Sequence, residues 1–307
     1  MTPAFWSSVD VEDWLKSGGR VDEPLGGKEK FWFIGPDDHR YLFKYARSDD
    51  DGTNTRGEDW AEWTVSTLAA LIGVPTATTI PARFDGRRGV LSRSVVASHE
   101  TLVHGNELLA RVVADYDAAA GRLNPGYTVT AIQTALAGIE APPGCNHLVT
   151  NAFDGWAGYV LLDAWTAGRD RHHENWAAIL HDGQSRLAPS YDHGNALGFQ
   201  ESERKVVALG ADNDQLAAWL RRGNSHHFAG KPSLVAVAVE ALSRATPSAR
   251  RYWLDRLLKV QVADVKATID QVPASLMSEP GRRFRVRLLV HNRERILDEC
   301  SQLAHLD

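Results

Sequence analysis

Asp170-Arg171-His172-His173-Glu174-Asn175 sets a carboxylate, a histidine two residues on and a carboxamide three residues after that. Tyr191-Asp192-His193-Gly194 follows after a short gap. A carboxylate that accepts a hydrogen bond from a hydroxyl, beside a neutral and an anionic oxygen that share one hard cation, is the equipment of phosphoryl transfer. On that reading Asp170 orients or deprotonates an acceptor hydroxyl, and Asn175 and Asp192 hold Mg2+ across the phosphates of ATP. His172 is expected to buttress the loop. Arg171 is expected either to pair locally or to meet a phosphate. A strand, a turn at His181-Asp182-Gly183 and a second strand fit between Asn175 and Asp192, which would bring both ends of a hairpin onto one ion.

The same chemistry needs a cation on the phosphates and a clamp around them. Lys44 sits in the aromatic run Tyr41-Leu42-Phe43-Lys44-Tyr45, where an ammonium needs a route to water or an anionic partner. Glu62, in the next expected helix, is the preferred partner because it lies deeper in that helix than its rivals Glu58 and Asp59. Gly26-Gly27-Lys28 precedes the first strand, and its backbone could approach phosphate oxygens without a Cβ in the way. It matches neither standard phosphate loop, and an ordinary connecting loop is the competing reading. A metal-hydrolase alternative would use His172, His173, Glu174, Asp192 and His193 around a transition metal, but no HExxH is present.

Composition bounds the rest. The chain has 307 residues, 43% hydrophobic and 24% charged, enough for two lobes with a real core. A net charge of -5 argues against a general nucleic-acid binder. Cys145 and Cys300 are the only cysteines, which excludes a disulfide scaffold and a cysteine zinc site and suits a reducing cytoplasm. No signal peptide and no run long enough to span a bilayer is visible. The ten tryptophans are expected mostly in core packing. Asp49-Asp50-Asp51-Gly52 lacks the alternation of an EF-hand and reads as a solvated loop.

The elements that must position these residues follow from pattern. Strands are expected over 29–34 and 40–46 around Gly35-Pro36-Asp37-Asp38, then a helix over 58–72 stopped at Gly73, then strands over 76–81 and 89–96. Helices are expected over 107–120, 130–138 and 156–167, the last leading into the Asp170 loop. Beyond residue 205, helices are expected over 214–222, 232–244, 247–258, 262–272 and 281–303. The arginine-rich start of the last one, Arg282 to Arg287, reads as a solvated helix face rather than a membrane contact. The fold class is therefore α+β. Residues 1–97 form a small antiparallel sheet lobe with one helix, and 98–307 a larger helical lobe holding the catalytic hairpin.

Asp170-x-His172-x-x-Asn175, with Leu187-Ala188-Pro189-Ser190-Tyr191-Asp192, resembles the catalytic and metal motifs of HipA-like serine/threonine kinases. With Asp192-x-Gly194-x-x-Leu197-Gly198 it also resembles the phosphatidylinositol 3/4-kinase pattern. Both families share an atypical protein kinase-like fold, and the resemblance runs over roughly residues 25 to 200. It implies that Asp170 is the catalytic aspartate with His172 in its motif, and that Asn175 and Asp192 bind magnesium. Lys44, paired to Glu62, would hold ATP phosphates below the Gly26-Gly27-Lys28 loop. Adenine would lie against the backbone near Ser92 and Ser94. The implied activity is ATP-dependent transfer to a hydroxyl, most simply a serine or threonine of a protein. A small-molecule kinase and a non-catalytic nucleotide-binding pseudokinase are the alternatives. About 25 residues precede the glycine segment, where HipA toxins carry a further subdomain, so a toxin role is not carried over. No serine lies between Gly19 and Lys44, so autophosphorylation in that loop is not carried over either.

Overall fold

Alternation decides which face each residue of the first long strands presents. The computed structural model describes residues 5–15, 20–22, 29–48, 55–120, 122–301 and 303. Within it, β1 (Val9–Asp10), α1 (Val11–Leu15), β2 (Arg20–Asp22), β3 (Lys30–Ile34) and β4 (Arg40–Tyr45) come first. Phe31 and Phe33 of β3 oppose Phe43 and Tyr41 of β4 in antiparallel register. These four rings are buried on one face, where Val11, Tyr45, Ala82 and Leu91 complete the cluster. Leu42 and Lys44 therefore face the other way. The turn between the strands is the expected one: Gly35 N–H donates to His39 O at 2.8 Å, Asp38 takes a φ of 61°, and Tyr41 Oη donates to Asp37 at 2.9 Å.

α2 (Glu58–Ile72) packs against β5 (Thr79–Phe84) and β6 (Arg87–Arg93). It stops at Gly73, whose φ of 78° suits a residue without a Cβ and lets its N–H reach the Ala69 and Ala70 carbonyls. The sheet order is β1-β5-β6-β4-β3-β2. The expectation of a purely antiparallel sheet is corrected at one edge, because β1 pairs with β5 in parallel. The cause is apolar burial. Val9, Val11, Trp14 and Leu15 all pack on the aromatic cluster, and seating them there lays Val9–Asp10 along the open edge of β5.

A second sheet, in the order β7-β8-β9, contains β7 (Thr101–His104), β8 (Ala177–His181) and β9 (Gln184–Leu187). β8 and β9 are the expected hairpin. The helix expected over 107–120 shortens to α3 (Gly105–Ala110). Beyond it Asp115 adopts a φ of 54°, Asp117 takes the Ala119 N–H at 2.9 Å, and the Tyr116 hydroxyl bonds His173 Nδ1 at 2.7 Å. Side-chain acceptors of this kind compete with helical hydrogen bonds.

After α4 (Val129–Ala135), α5 (Ala152–Thr166) is the axis of the remainder, and every one of its residues is buried. Around and beyond it run α6 (Glu203–Ala211), α7 (Asn213–Arg221), α8 (Leu234–Arg244), α9 (Pro247–Leu258), α10 (Val262–Asp270) and α11 (Glu279–Cys300). α6 had no counterpart in the sequence reading, although Ser202 caps it through the Lys205 N–H. Seven of the ten tryptophans are buried, as core packing predicts. Of the four arginines from Arg282 to Arg287, only Arg283 is exposed, so the segment is not a solvated face. Arg285 is buried with its guanidinium 4.4 Å from the Trp60 ring centroid, Arg282 donates to the Ile269 carbonyl at 2.8 Å, and Arg287 donates to Gly210 O. No helix among the described residues is long and apolar enough to cross a membrane.

Asp154, 1% exposed in the first turn of α5, fastens that axis to α9. Its carboxylate accepts from the N–H and hydroxyl of Thr150, the amide of Asn151, and the N–H and hydroxyl of Thr246. Asp154→Ala strands these donors in the interior, so urea unfolding should show a loss of about 2–4 kcal/mol.

Candidate active site

α5 delivers the Asp170 loop. The helix ends at Ala167, whose φ of 58° turns the chain out of the helix, and Gly168 N–H closes back on Asp163 O at 2.8 Å. Two backbone bonds then run from this exit to the segment after Asp192. Arg169 N–H donates to Asn195 O at 3.2 Å, and Leu197 N–H donates to Thr166 O at 2.8 Å. One small cavity consequently has Asp170, Arg171, Asp192 and His193 in its wall.

The loop is closed on itself. The Asp170 carbonyl accepts from His172 N–H at 2.8 Å and from the Asn175 side-chain amide at 2.6 Å. With its nitrogen spent there, Asn175 keeps its oxygen as the end suited to a cation. Arg171 is the strut beneath. It binds Asp163 of α5 through two contacts of 2.7 and 2.8 Å and donates to the Asn175 carbonyl at 2.7 Å. Burial opposes the charge on Arg171, but Asp163 outweighs it and raises the guanidinium pKa further, the behaviour of an ionised pair. Arg171 therefore pairs locally rather than meeting a phosphate. Tyr127, held by Trp176 Nε1 at 3.0 Å, donates to the Arg171 carbonyl at 2.8 Å. Removing one partner of a buried pair leaves the other uncompensated, so Arg171→Ala should cost about 3–5 kcal/mol in a denaturant titration. Arg171→Lys should recover only part of that, because an ammonium cannot make the two-pronged contact.

The Asp170 carboxylate accepts from His227 Nε2 at 2.8 Å. Burial works to raise its pKa, but the hydrogen bond from His227, first among the opposing effects, helps hold it below the ordinary value. His172 lies within the loop, its Nδ1 accepting from Glu174 N–H at 3.2 Å. Burial lowers its pKa, which favours the neutral ring.

Lys44 joins the sheet to the hairpin. Its Nζ lies 3.3 Å from Glu62 and 3.2 Å from Asp192. Burial acts against the charge, yet the two carboxylates outweigh it and raise the lysine pKa above its ordinary value. The rivals for Lys44 are engaged elsewhere. Glu58 takes the Arg47 N–H at 3.0 Å, and Asp59 faces Arg88 at 3.7 Å. Asp192 has a φ of 59°, and the glycine two residues later allows its turn to close on α2. A Cβ at Gly194 would lie 3.3 Å from Glu58 O and 3.4 Å from a Glu62 carboxylate oxygen.

Ser92 shares the Lys44 face of the sheet, since Leu42↔Ser92 and Lys44↔Val90 are register partners. The Ser94 hydroxyl closes a turn, donating to Val96 O at 2.9 Å. Val95 and Val96 then pack on Ala177, Ile179 and Ala188 of the hairpin. Gly26, Gly27 and Lys28 lie outside the described residues, as do Asp49 to Gly52.

The five residues of the transition-metal alternative do not converge. His172, His173 and Glu174 bring ligand atoms within 4.8 Å of one another, but Asp192 and His193 stand outside that group. His193 is buried, and burial followed by the Arg171 charge pushes its pKa down to about 3.

From sequence, His226-His227 reads as a loop pair or else a substrate-side contact, and Asp163 only as a residue of the helix over 156–167. A carboxylate in the mostly apolar run from Gly155 to Trp165 was a signal for Asp163. His227, 57 residues from its partner, had no local signal.

The chain is similar in structure to the Helicobacter pylori proinflammatory kinase CtkA, with a TM-score of 0.71 at 14% identity over 98% of this chain and 99% of that one. It is also similar to HipA of Shewanella oneidensis MR-1, known in a complex with HipB and operator DNA. There the TM-score is 0.51 at 12% identity, over 98% of this chain and 68% of HipA. No protein-family model matches the chain, and no curated protein matches it in sequence. At such identities the likeness speaks to architecture, and the architecture is a HipA-like atypical kinase fold.

Proposed function

We propose that this protein is a kinase that transfers the γ-phosphoryl group of ATP, with Mg2+, to a serine or threonine hydroxyl of another protein. The observation that carries the reading is Lys44, held between Glu62 and Asp192, with Asp192 and Asp170 together in the wall of one small cavity. A buried ammonium, an orienting carboxylate and hard oxygen ligands are what the reaction requires. The Helicobacter pylori protein with this fold is a kinase.

Asn175 and Asp192 offer an amide oxygen and a carboxylate, a donor set that fits Mg2+. When bound, the ion neutralises charge on the phosphates. Lys44 adds a fixed positive charge there, and Glu62 keeps it in place. Asp170, ionised and lined up by its neighbours, accepts the proton of the attacking hydroxyl. Ser92 and Ser94 mark the strand edge against which adenine would lie, and Gly26-Gly27-Lys28 would cover the phosphates. The division into a nucleotide lobe over 1–97 and an acceptor lobe over 98–307 belongs to the same reading, as does a cytoplasmic setting.

The test is transfer of labelled phosphate from ATP and Mg2+ to separate protein and metabolite fractions of a cell lysate. Label on serine or threonine in the protein fraction is expected. Label confined to metabolites would assign a small-molecule kinase instead. ATP binding without ADP release for any acceptor would leave a nucleotide-binding module.

A further inference from the structure

We propose that His227 is a positioning residue for the Asp170 carboxylate, fixing which oxygen of Asp170 meets the acceptor hydroxyl; this rests on the kinase reading above. His227 Nε2 lies 2.8 Å from Asp170 Oδ1, and His227 is 8% exposed. A carboxylate only accepts, so Nε2 carries the hydrogen. Oδ1 is thereby engaged, and Oδ2 is the oxygen for the substrate. As the hydroxyl oxygen bonds to the γ-phosphorus and the bond to the ADP oxygen breaks, the hydroxyl proton passes to Oδ2.

The backbone on either side of His227 is tied down. His226 O accepts from Leu123 N–H at 3.3 Å, and Ala229 N–H donates to Tyr127 O at 3.1 Å. The Phe228 ring packs 4.5 Å from that of Tyr127, whose hydroxyl donates to the Arg171 carbonyl in the catalytic loop. One tyrosine thus anchors both the segment that carries His227 and the loop that carries Asp170, so their relative placement is set by a shared, buried support. A positioning group works only if it is itself locked. Facing Asp170 are His172 from its own loop, His226 and His227 from the segment before α8, Asp192 from the turn after β9, and Asp163 on α5.

The experiment follows the Asp170 carboxyl carbon by NMR through a pH titration, assigned by its loss in Asp170→Asn, together with steady-state phosphotransfer. The wild type, His227→Ala and His227→Gln are compared, with thermal melts confirming that each folds. Glutamine keeps an N–H donor near the Nε2 position. In His227→Ala the carboxyl should titrate at higher pH, kcat should fall about 10- to 100-fold with nucleotide KM unchanged, and the acidic limb of the kcat profile should move up with the carboxyl. His227→Gln should restore the titration and return kcat to within about threefold of wild type. An unmoved carboxyl in His227→Ala, or a glutamine variant as impaired as the alanine one, overturns the proposal. If the carboxyl moves as expected while the wild type phosphorylates nothing, the kinase reading fails and the positioning of Asp170 stands.

Discussion

Asp170→Asn should lower phosphotransfer by about 10²- to 10⁴-fold while nucleotide affinity stays within about twofold. The asparagine side chain has the same shape and still offers an oxygen to His227, so the loop has no reason to rearrange. Its backbone carbonyl, which ties His172 and Asn175 to the loop, is untouched. What disappears is the anionic oxygen that takes the proton. ADP release measured beside titration with a fluorescent nucleotide separates the two effects. A variant retaining more than about a tenth of wild-type turnover would remove Asp170 from the role given to it.

The second large effect concerns Lys44, where function and stability pull on the same atom. Lys44→Met should cut transfer about 10²- to 10³-fold, because a fixed charge at the phosphates counts most in a site shielded from water. It should also destabilise the protein by about 3–5 kcal/mol, since Glu62, 2% exposed, loses the ammonium 3.3 Å away. Lys44→Met combined with Glu62→Leu leaves only Asp192 without its ammonium, and that carboxylate is 33% exposed. The double variant should regain most of the stability and none of the activity. Denaturant titrations of the two single variants and the double one, beside ADP release, read both quantities. A double variant no more stable than Lys44→Met would mean that the lysine is held mainly by Asp192.

These effects show how differently the parts of the site were written into the chain. Lys44 was legible because a lysine in an aromatic strand is an exception to alternation that needs a cause. The hairpin between Asn175 and Asp192 was legible because their spacing leaves room for a strand, a turn and a second strand, and it formed there. Among the helices, strong period and a stop signal predicted best. α2 ends at Gly73, and α9 occupies the residues expected of it. The helix after Gly105 was overestimated because its apolar period continues past the point where Asp115, Asp117 and Tyr116 find other partners.

By itself, the sequence determined which groups are on offer: the side chains of Asp170, Asn175 and Asp192, one out-of-place lysine, and the order of elements that carries them. It also narrowed the lysine's partner to three acids. Only the tertiary structure chose among Glu58, Asp59 and Glu62, because Arg47 and Arg88 claim the first two from the loop before α2 and from β6. Only it sent Arg171 to Asp163 and brought His227 to Asp170. These are electrostatic pairings in a buried setting, the His227 one across 57 residues of chain. Such pairings depend on which charges the packed backbone brings within reach, and no local pattern along the chain encodes that distance.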